Sequence, residues 1–294
     1  MILKPFEYVA PNSLSEACKV LSEHSDAKVI AGGQSLLPIM KLNLTELDYL
    51  VDLKRIPGLS YIKIDKDVSS DGKEALFAGA LATHSDVASS DLVRRTIPLL
   101  SKTASSIGHP LVRNRGTIGG SLSHCDPAAD MCVTSLALDA RMTITNSSNT
   151  KRVVHAEDFF QGTFTTALEK GEILEKICFP IPPNSHTQAF EKITMGHGDF
   201  PLVVVSTVLD IGKGICNQTK LALGGVSDKV IRIKRAEEAL IGKKLDEDSI
   251  DNAASIAEEE SKPAADLDVS AEYKKKMVRV LVRRALRKAS QGAA

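Results

Sequence analysis

Residues 113–130 read RNRGTIGGSLSHCDPAAD, and the placement of glycine in that stretch decides how the rest of the chain is read. Gly116, Gly119 and Gly120 lie around Thr117, Ile118 and Ser121, and the stretch closes on two carboxylates, Asp126 and Asp130. Adjacent glycines lack the Cβ atoms that hold a ligand away from the main chain, so N–H groups there can meet phosphate oxygens. A glycine turn between a strand and a helix is the plain structural alternative, and one such turn alone would favour it. A second turn changes the balance. Far upstream, Lys28 to Leu36 reads KVIAGGQSL, where a β-branched run through Ile30 and Ala31 feeds Gly32 and Gly33, followed by Gln34 and Ser35. Neither turn is GxGxxG or precedes GK[ST], so neither a nicotinamide nor a nucleoside-triphosphate site has motif support. Two separated cradles suit an elongated ligand such as FAD. Carboxylates after the second cradle suit ribose hydroxyls and would repel phosphates; structurally they serve equally well as an N-cap and a first-turn acid.

At 294 residues the chain has room for two domains of ordinary size. Its 37 basic and 37 acidic residues cancel, which removes the electrostatic case for a nucleic-acid or anionic-membrane partner. No apolar run is long enough to cross a bilayer. The N-terminus, MILKPFEYVAP, meets Pro5 and Glu7 before a signal-peptide core can form, so the expectation is a cytoplasmic protein without a transmembrane segment. The five cysteines contain no CxxC pair, which argues against an iron–sulfur or structural zinc site in this chain. Cys125 and Cys132 have helix-face spacing and read as two small buried side chains.

Taken in order, residues 1–55 form a small α/β unit. Ser13 and Glu16 make a capping-box pattern before Leu14, Ala17, Val20 and Leu21, then comes the strand KVIAG, a helix near Pro38 and a short strand through Val51, Leu53 and Ile56. Residues 59–177 continue with a hairpin around Asp71-Gly72, helical periodicity to Gly108 with a restart at Pro98, and a helix expected from Pro127 to about Leu138 with Asp126 as its cap. Arg141–Thr145 and Lys151–Val154 make another hairpin. The proline cluster PIPP at 180–183 sets the boundary, giving domains at 1–177 and 184–294. Beyond it a strand meander over Phe190–Ile193, Val203–Ile211 and Lys220–Gly225 precedes helices at Ala236–Ile241, Ile250–Glu260 and Ala271–Ala289. The last helix carries eight basic residues around Met277, Leu281 and Ala285; solvation by that charge is the default reading and an acidic partner protein the second, since Glu258, Glu259 and Glu260 can neutralise part of the charge internally.

AGGQSL at 31–36, TIGGS at 117–121 with DPAAD at 126–130, FFQGTFTTAL at 159–168, FEKITMGHGDFP at 190–201 and YKKKMVRVLVRRAL at 273–286 together resemble the FAD-binding medium subunits of the molybdenum hydroxylases. The resemblance covers essentially the whole chain and rests on the ordered set. It implies an α+β fold: a two-subdomain FAD-binding domain of the vanillyl-alcohol-oxidase and xanthine-dehydrogenase type, then a C-terminal α+β domain with a three-stranded sheet and helices. It implies that Ala31, Gly32, Gly33, Gln34 and Ser35 cradle the pyrophosphate from one side, near Lys28, Ile30 and Leu36. Thr117, Ile118, Gly119, Gly120 and Ser121 would do so from the other side. Asp130 would reach the ribose, and Ala80, Gly108, Leu168 and Lys192 would lie near the cofactor. Where many relatives have histidine after the first Gly-Gly, this chain has Gln34.

The function implied is electron transfer. Hydroxylation would occur at a molybdopterin centre in a large subunit, and electrons would pass through two [2Fe–2S] clusters of a small subunit to FAD here, then to an external acceptor. The resemblance implies a dimer of heterotrimers and no catalytic or metal-ligating residue in this chain; overall likeness leans to N-heteroaromatic hydroxylation, with carbon monoxide, aldehyde or purine-alkaloid oxidation open. An iron–sulfur insertion of the benzoyl-coenzyme-A type is absent. The alternatives are a self-sufficient flavin oxidoreductase and a scaffold whose glycine turns are purely structural. His109 and His124 flank the second cradle, where contact with the cofactor is open to them, and as single polar loop residues each reads first as structural.

Overall fold

A computed structural model describes residues 3–67, 72–183, 185–196, 198–266 and 269–292. The chain begins with β1 (Glu7–Val9), α1 (Leu14–Glu23), β2 (Ala27–Ile30), α2 (Leu36–Lys41) and β3 (Tyr49–Asp52). The three strands form a parallel sheet in the order β1-β3-β2. α1 starts at Ser13, whose hydroxyl accepts the Glu16 N–H; Glu16 itself reaches back to the Asn12 N–H, so the expected capping box is only half formed. The apolar face of α1 buries Ala17, Cys18 and Leu21 against this sheet. The strand expected through Ile56 stops at Asp52, because Asp52 caps a single 3-10 turn over Leu53–Arg55.

The second unit is built on a five-stranded antiparallel sheet. β4 (Ile62–Lys66) and β5 (Glu74–Gly79) pair as the hairpin expected, with Asp71 of its turn outside the described residues. Helices follow: α3 (His84–Ser89), α4 (Asp91–Thr96), α5 (Pro98–Ser106), α6 (Pro110–Arg113), α7 (Ile118–His124) and α8 (Asp130–Ala137). Ser90 ends α3 and caps α4, and Pro98 opens α5, so the single periodic stretch folds as three short helices. β6 (Arg141–Thr145) and β7 (Lys151–His155) form a hairpin, α9 (Ala156–Phe159) and the small pair β8 (Phe160–Gly162) and β9 (Thr165–Thr166) follow, and β10 (Ile173–Pro180) inserts centrally, giving the order β4-β5-β10-β6-β7. β10 runs three residues past the expected boundary at 177.

The C-terminal part is the antiparallel meander β11 (His186–Thr194), β12 (Pro201–Gly212) and β13 (Ile215–Gly224), with a fourth strand, β14 (Ile231–Arg232), beyond the three expected. That strand pairs with β13 over only two residues, too short to leave a periodic signature. The helices α10 (Lys234–Leu240), α11 (Glu247–Glu260) and α12 (Ala271–Gln291) cover one face. β12 reads PLVVVSTVL because both of its faces are covered: Val203, Val205 and Leu209 enter the core beneath α10–α12, while Val204 and Val208 enter the core shared with α5, α7 and α8. α8 is buried along its whole length, packed on β12 and β13 and against α5 and α7. On the outside, Arg279, Arg283 and Arg287 of α12 pair with Glu247, Asp251 and Glu258 of α11, so part of the basic charge is neutralised internally, though Glu259 and Glu260 pair instead with Arg235 of α10.

Candidate functional site

The glycine turn after β2 has an open backbone. None of the N–H groups from Gly32 to Leu36 donates to a protein acceptor among the described residues. Gly33 makes the turn with φ +73°, and Gln34 is exposed. Gly32 is there for close approach: a Cβ on it would fall 2.0 Å from the Arg115 carbonyl oxygen, so this turn abuts the second glycine stretch directly. A run of unpaired amides on successive residues makes a concave, positively polarised surface suited to an anion.

The second stretch works differently from the expectation that its amides are open. Ile118 and Gly119 donate to the carbonyls of Ala82 and Ala80, each at 2.9 Å, and the Gly120 N–H turns back to Thr117 Oγ1 at 3.1 Å, capping α7. Gly119 is needed because a Cβ there would fall 2.5 Å from that of Ala80. A Cβ on Gly120 would point across the gap, meeting Thr117 Oγ1 at 2.8 Å and Ala31 Cβ at 3.8 Å. The stretch therefore seats a ligand by bringing bare backbone close.

Asp126 accepts the Ala128 N–H in an Asx turn, and the helix expected from Pro127 begins at Asp130 with Ala129 as a cap that offers no side-chain bond. This delay places Asp130 at the head of α8, where its Oδ2 accepts from Lys192 Nζ at 3.0 Å. Lys192 lies on β11 and also donates to the Ser106 carbonyl at 2.8 Å. Asp130 is 6% exposed and its Oδ1 is buried without a protein partner. Burial pushes its carboxyl up to about 6, against the downward pull of Lys192.

These groups surround a cavity of about 770 Å³, towards the upper end of the ~300–1,000 Å³ typical of small-molecule sites. Lys28, Ile30, Ala31, Gly32, Gly33, Gln34, Ser35 and Leu36 line it from one side, and Thr117, Gly119, Gly120, Ser121 and Asp130 from the other. Ala80, Gly108 and Leu168 lie on its wall. Ile118 does not: it is fully buried in the core and packs beneath the stretch. Lys192 reaches the cavity only through Asp130.

Lining residues that sequence reasoning passed over include His84, Phe164, Asp199 and Phe200, and His124 lines the cavity where a structural loop role was preferred. His84 is 4% exposed with Nδ1 unpartnered, and burial with help from Arg113 pushes its imidazole down to about 4, so it is neutral at neutral pH. Nothing in its sequence context marks it. Phe164 and Phe200 are 57% and 61% exposed, each two residues after a glycine of a quoted motif but not singled out. His109 packs on the turn at Gly198, where a Cβ would fall 2.5 Å from its ring.

Residues 4–182 match the FAD-binding domain of molybdopterin dehydrogenases, and residues 188–289 match the CO dehydrogenase flavoprotein C-terminal domain. The chain belongs to this flavoprotein family. It is 36% identical to the glyceraldehyde dehydrogenase medium chain of Sulfolobus acidocaldarius, over 96% of this chain and 97% of that one. Among solved structures it is similar to carbon monoxide dehydrogenase from Hydrogenophaga pseudoflava, at TM-score 0.94 and 37% identity over 100% of both chains. Quinoline 2-oxidoreductase from Pseudomonas putida 86 matches at TM-score 0.92 and 36% identity, over 100% of this chain and 99% of that one. The cofactor of this flavoprotein family, FAD, fits the residues present: unpaired amides suit its diphosphate, the orphaned Asp130 Oδ1 suits a hydroxyl donor, and the glycines clear its approach. All five cysteines are free and buried, and no His/Cys/Asp/Glu cluster among the described residues could hold a metal. Cys125 ends α7 while Cys132 lies on α8, so the two do not share a helix face as their spacing suggested.

Proposed function

We propose that this chain is the electron-transfer subunit of a multi-subunit molybdenum hydroxylase, holding FAD across the cavity between its two glycine stretches. The observation that carries the proposal is the run of unpaired amides from Gly32 to Leu36, facing the bare backbone of Gly119 and Gly120 across one cavity. In this reading Gly32, Gly33, Gln34 and Ser35 bind the diphosphate and Lys28 adds positive charge. Gly119, Gly120 and Ser121 close the other side, and Asp130, fixed by Lys192, accepts from a ribose or ribityl hydroxyl. Ile30, Ala31, Leu36, Ala80, Gly108, Thr117 and Leu168 shape the walls. Bound flavin supplies the ability to take electrons singly or in pairs; the chain itself seats and orients it and excludes water from one side.

The reaction is assigned to partner chains: a large molybdopterin subunit performs hydroxylation, and the [2Fe–2S] clusters of a small subunit deliver electrons here for an external acceptor. The assembly is a dimer of such heterotrimers in the cytoplasm. An N-heteroaromatic is the substrate we favour, as the likeness to quinoline 2-oxidoreductase supports; the equal identity to a glyceraldehyde dehydrogenase medium chain makes an aldehyde the second reading. Co-expression with the genes of the partner subunits tests this. Dye reduction by quinoline-type substrates is expected only from the full complex, and turnover by the isolated chain would overturn the dependent role.

A further inference from the structure

Six described residues other than glycine adopt left-handed backbone, and most have a local reason. Asn43, Asp139 and Asn149 are of types that visit this region readily, and Lys213 shares the tight β12–β13 turn with Gly214. Cys125 (φ 55°) is the left-handed cap that ends α7; Phe164 (φ 53°) has no such reason, and its N–H donates to the Cys125 carbonyl at 3.1 Å. Cys125 Sγ in turn donates towards the carbonyls of Gly162 and Thr165, at 3.4 and 3.3 Å on either side of Phe164. A bulky side chain in this conformation is strained, and its surroundings must over-determine it.

The strain does not serve burial, since Phe164 is 57% exposed. What it achieves is placement. The ring leans on His124 with centroids 4.9 Å apart and planes 30° apart, and both rings line the cavity beside Ser123 and Leu168. His124 ends α7, the helix whose first turn contains Gly119 and Gly120, so one rigid element runs from the diphosphate cradle to this aromatic pair.

We propose that Phe164, backed by His124, is a positioning residue that seats the isoalloxazine ring of the flavin at the open end of the cavity. The inference rests on the FAD reading above. A flat aromatic surface offers stacking area to a planar heteroaromatic, and a solvent-facing seat leaves one edge of that ring accessible to electron-transfer partners.

The full chain contains no tryptophan, so Phe164→Trp introduces a single emitting reporter. Flavin binding by the unsubstituted chain reports on the FAD reading itself; only differences among variants report on Phe164, and absence of FAD binding would remove both. In Phe164→Trp the expected result is quenched indole emission and a long-wavelength shoulder on the flavin absorption when FAD is added, with neither change on adding ADP. In Phe164→Gly, relief of the backbone strain keeps or raises the melting temperature of the apoprotein, while FAD affinity falls roughly three- to tenfold. Equal quenching by ADP would move the seat to the adenine. Unchanged FAD affinity in Phe164→Gly, with loss only of complex assembly, would make Phe164 a partner contact. Either outcome overturns the proposal.

Discussion

Lys192 Nζ donates to Asp130 Oδ2 at 3.0 Å inside the protein, tying the head of α8 to the first strand of the C-terminal sheet. The second oxygen of the same carboxylate has no protein partner. One side chain thus anchors two layers of the fold and keeps a free acceptor at the cavity wall.

Removing Lys192 leaves a buried carboxylate without its cation. Lys192→Met is expected to destabilise the chain by about 3 kcal/mol or more and to weaken FAD binding, while Asp130→Asn in the same background recovers much of the stability and none of the binding. A double-mutant cycle of urea unfolding with parallel flavin titrations checks both parts.

Asp130 and His84 make opposite contributions to the acid limb of the apoprotein's stability. The carboxyl of Asp130 is raised in the folded state to about 6, so its contribution is fully present below the unfolded value near 4 and is lost as pH rises through 6. The imidazole of His84 is lowered to about 4, so its contribution is present above the unfolded value near 6.5 and is lost as pH falls through 4. Urea midpoints between pH 4.5 and 7 are therefore expected to fall more steeply with acid in Asp130→Asn than in the unsubstituted chain, and less steeply in His84→Phe.

The glycines divide by what surrounds them. Gly32→Ala drives a Cβ into the Arg115 carbonyl and should lower stability by about 1–3 kcal/mol. Gly120→Asp, whose Cβ crowds the capping Thr117 Oγ1 and whose side chain would point into the gap towards Ala31, should cost about 1 kcal/mol through that cap and abolish flavin binding by placing a carboxylate where a phosphate must come. Melting temperature and the ratio of flavin to protein separate the two effects.

A hydroxyl chain, Thr103 to Thr134 to Ser206, crosses from α5 through α8 to β12 with both contacts at 2.8 Å. Thr134→Val should strand two buried hydroxyls and cost about 1–3 kcal/mol, more than the triple variant that adds Thr103→Val and Ser206→Ala, in which no hydroxyl is left unpaired. Thermal melts of the single and triple variants check this.

The ordered motifs carried the fold because they record local requirements. Proline at Pro98, the β-branched run before Gly32 and the nearly unbroken apolar run of β12 each have one reading in this architecture. The glycine stretches were legible for the same reason, yet their division of labour was not. Whether an amide such as that of Gly119 is open or is spent on Ala80 depends on a strand distant in sequence. The start of α8 was misread because Asp126-Pro127 is equally good as a helix start and as an Asx turn, and only packing chooses between them. His84, Phe164 and Phe200 reach the cavity from three separate segments, and no periodicity reports that convergence.

The proposed seat of FAD lies between the two glycine stretches. Titration of the apoprotein with FAD, followed by flavin absorption and calorimetry, tests it most directly when run beside Gly120→Asp. One FAD per chain is expected for the unsubstituted protein and none for the variant at matched folded fraction. FAD bound equally by both, or by neither, would contradict it.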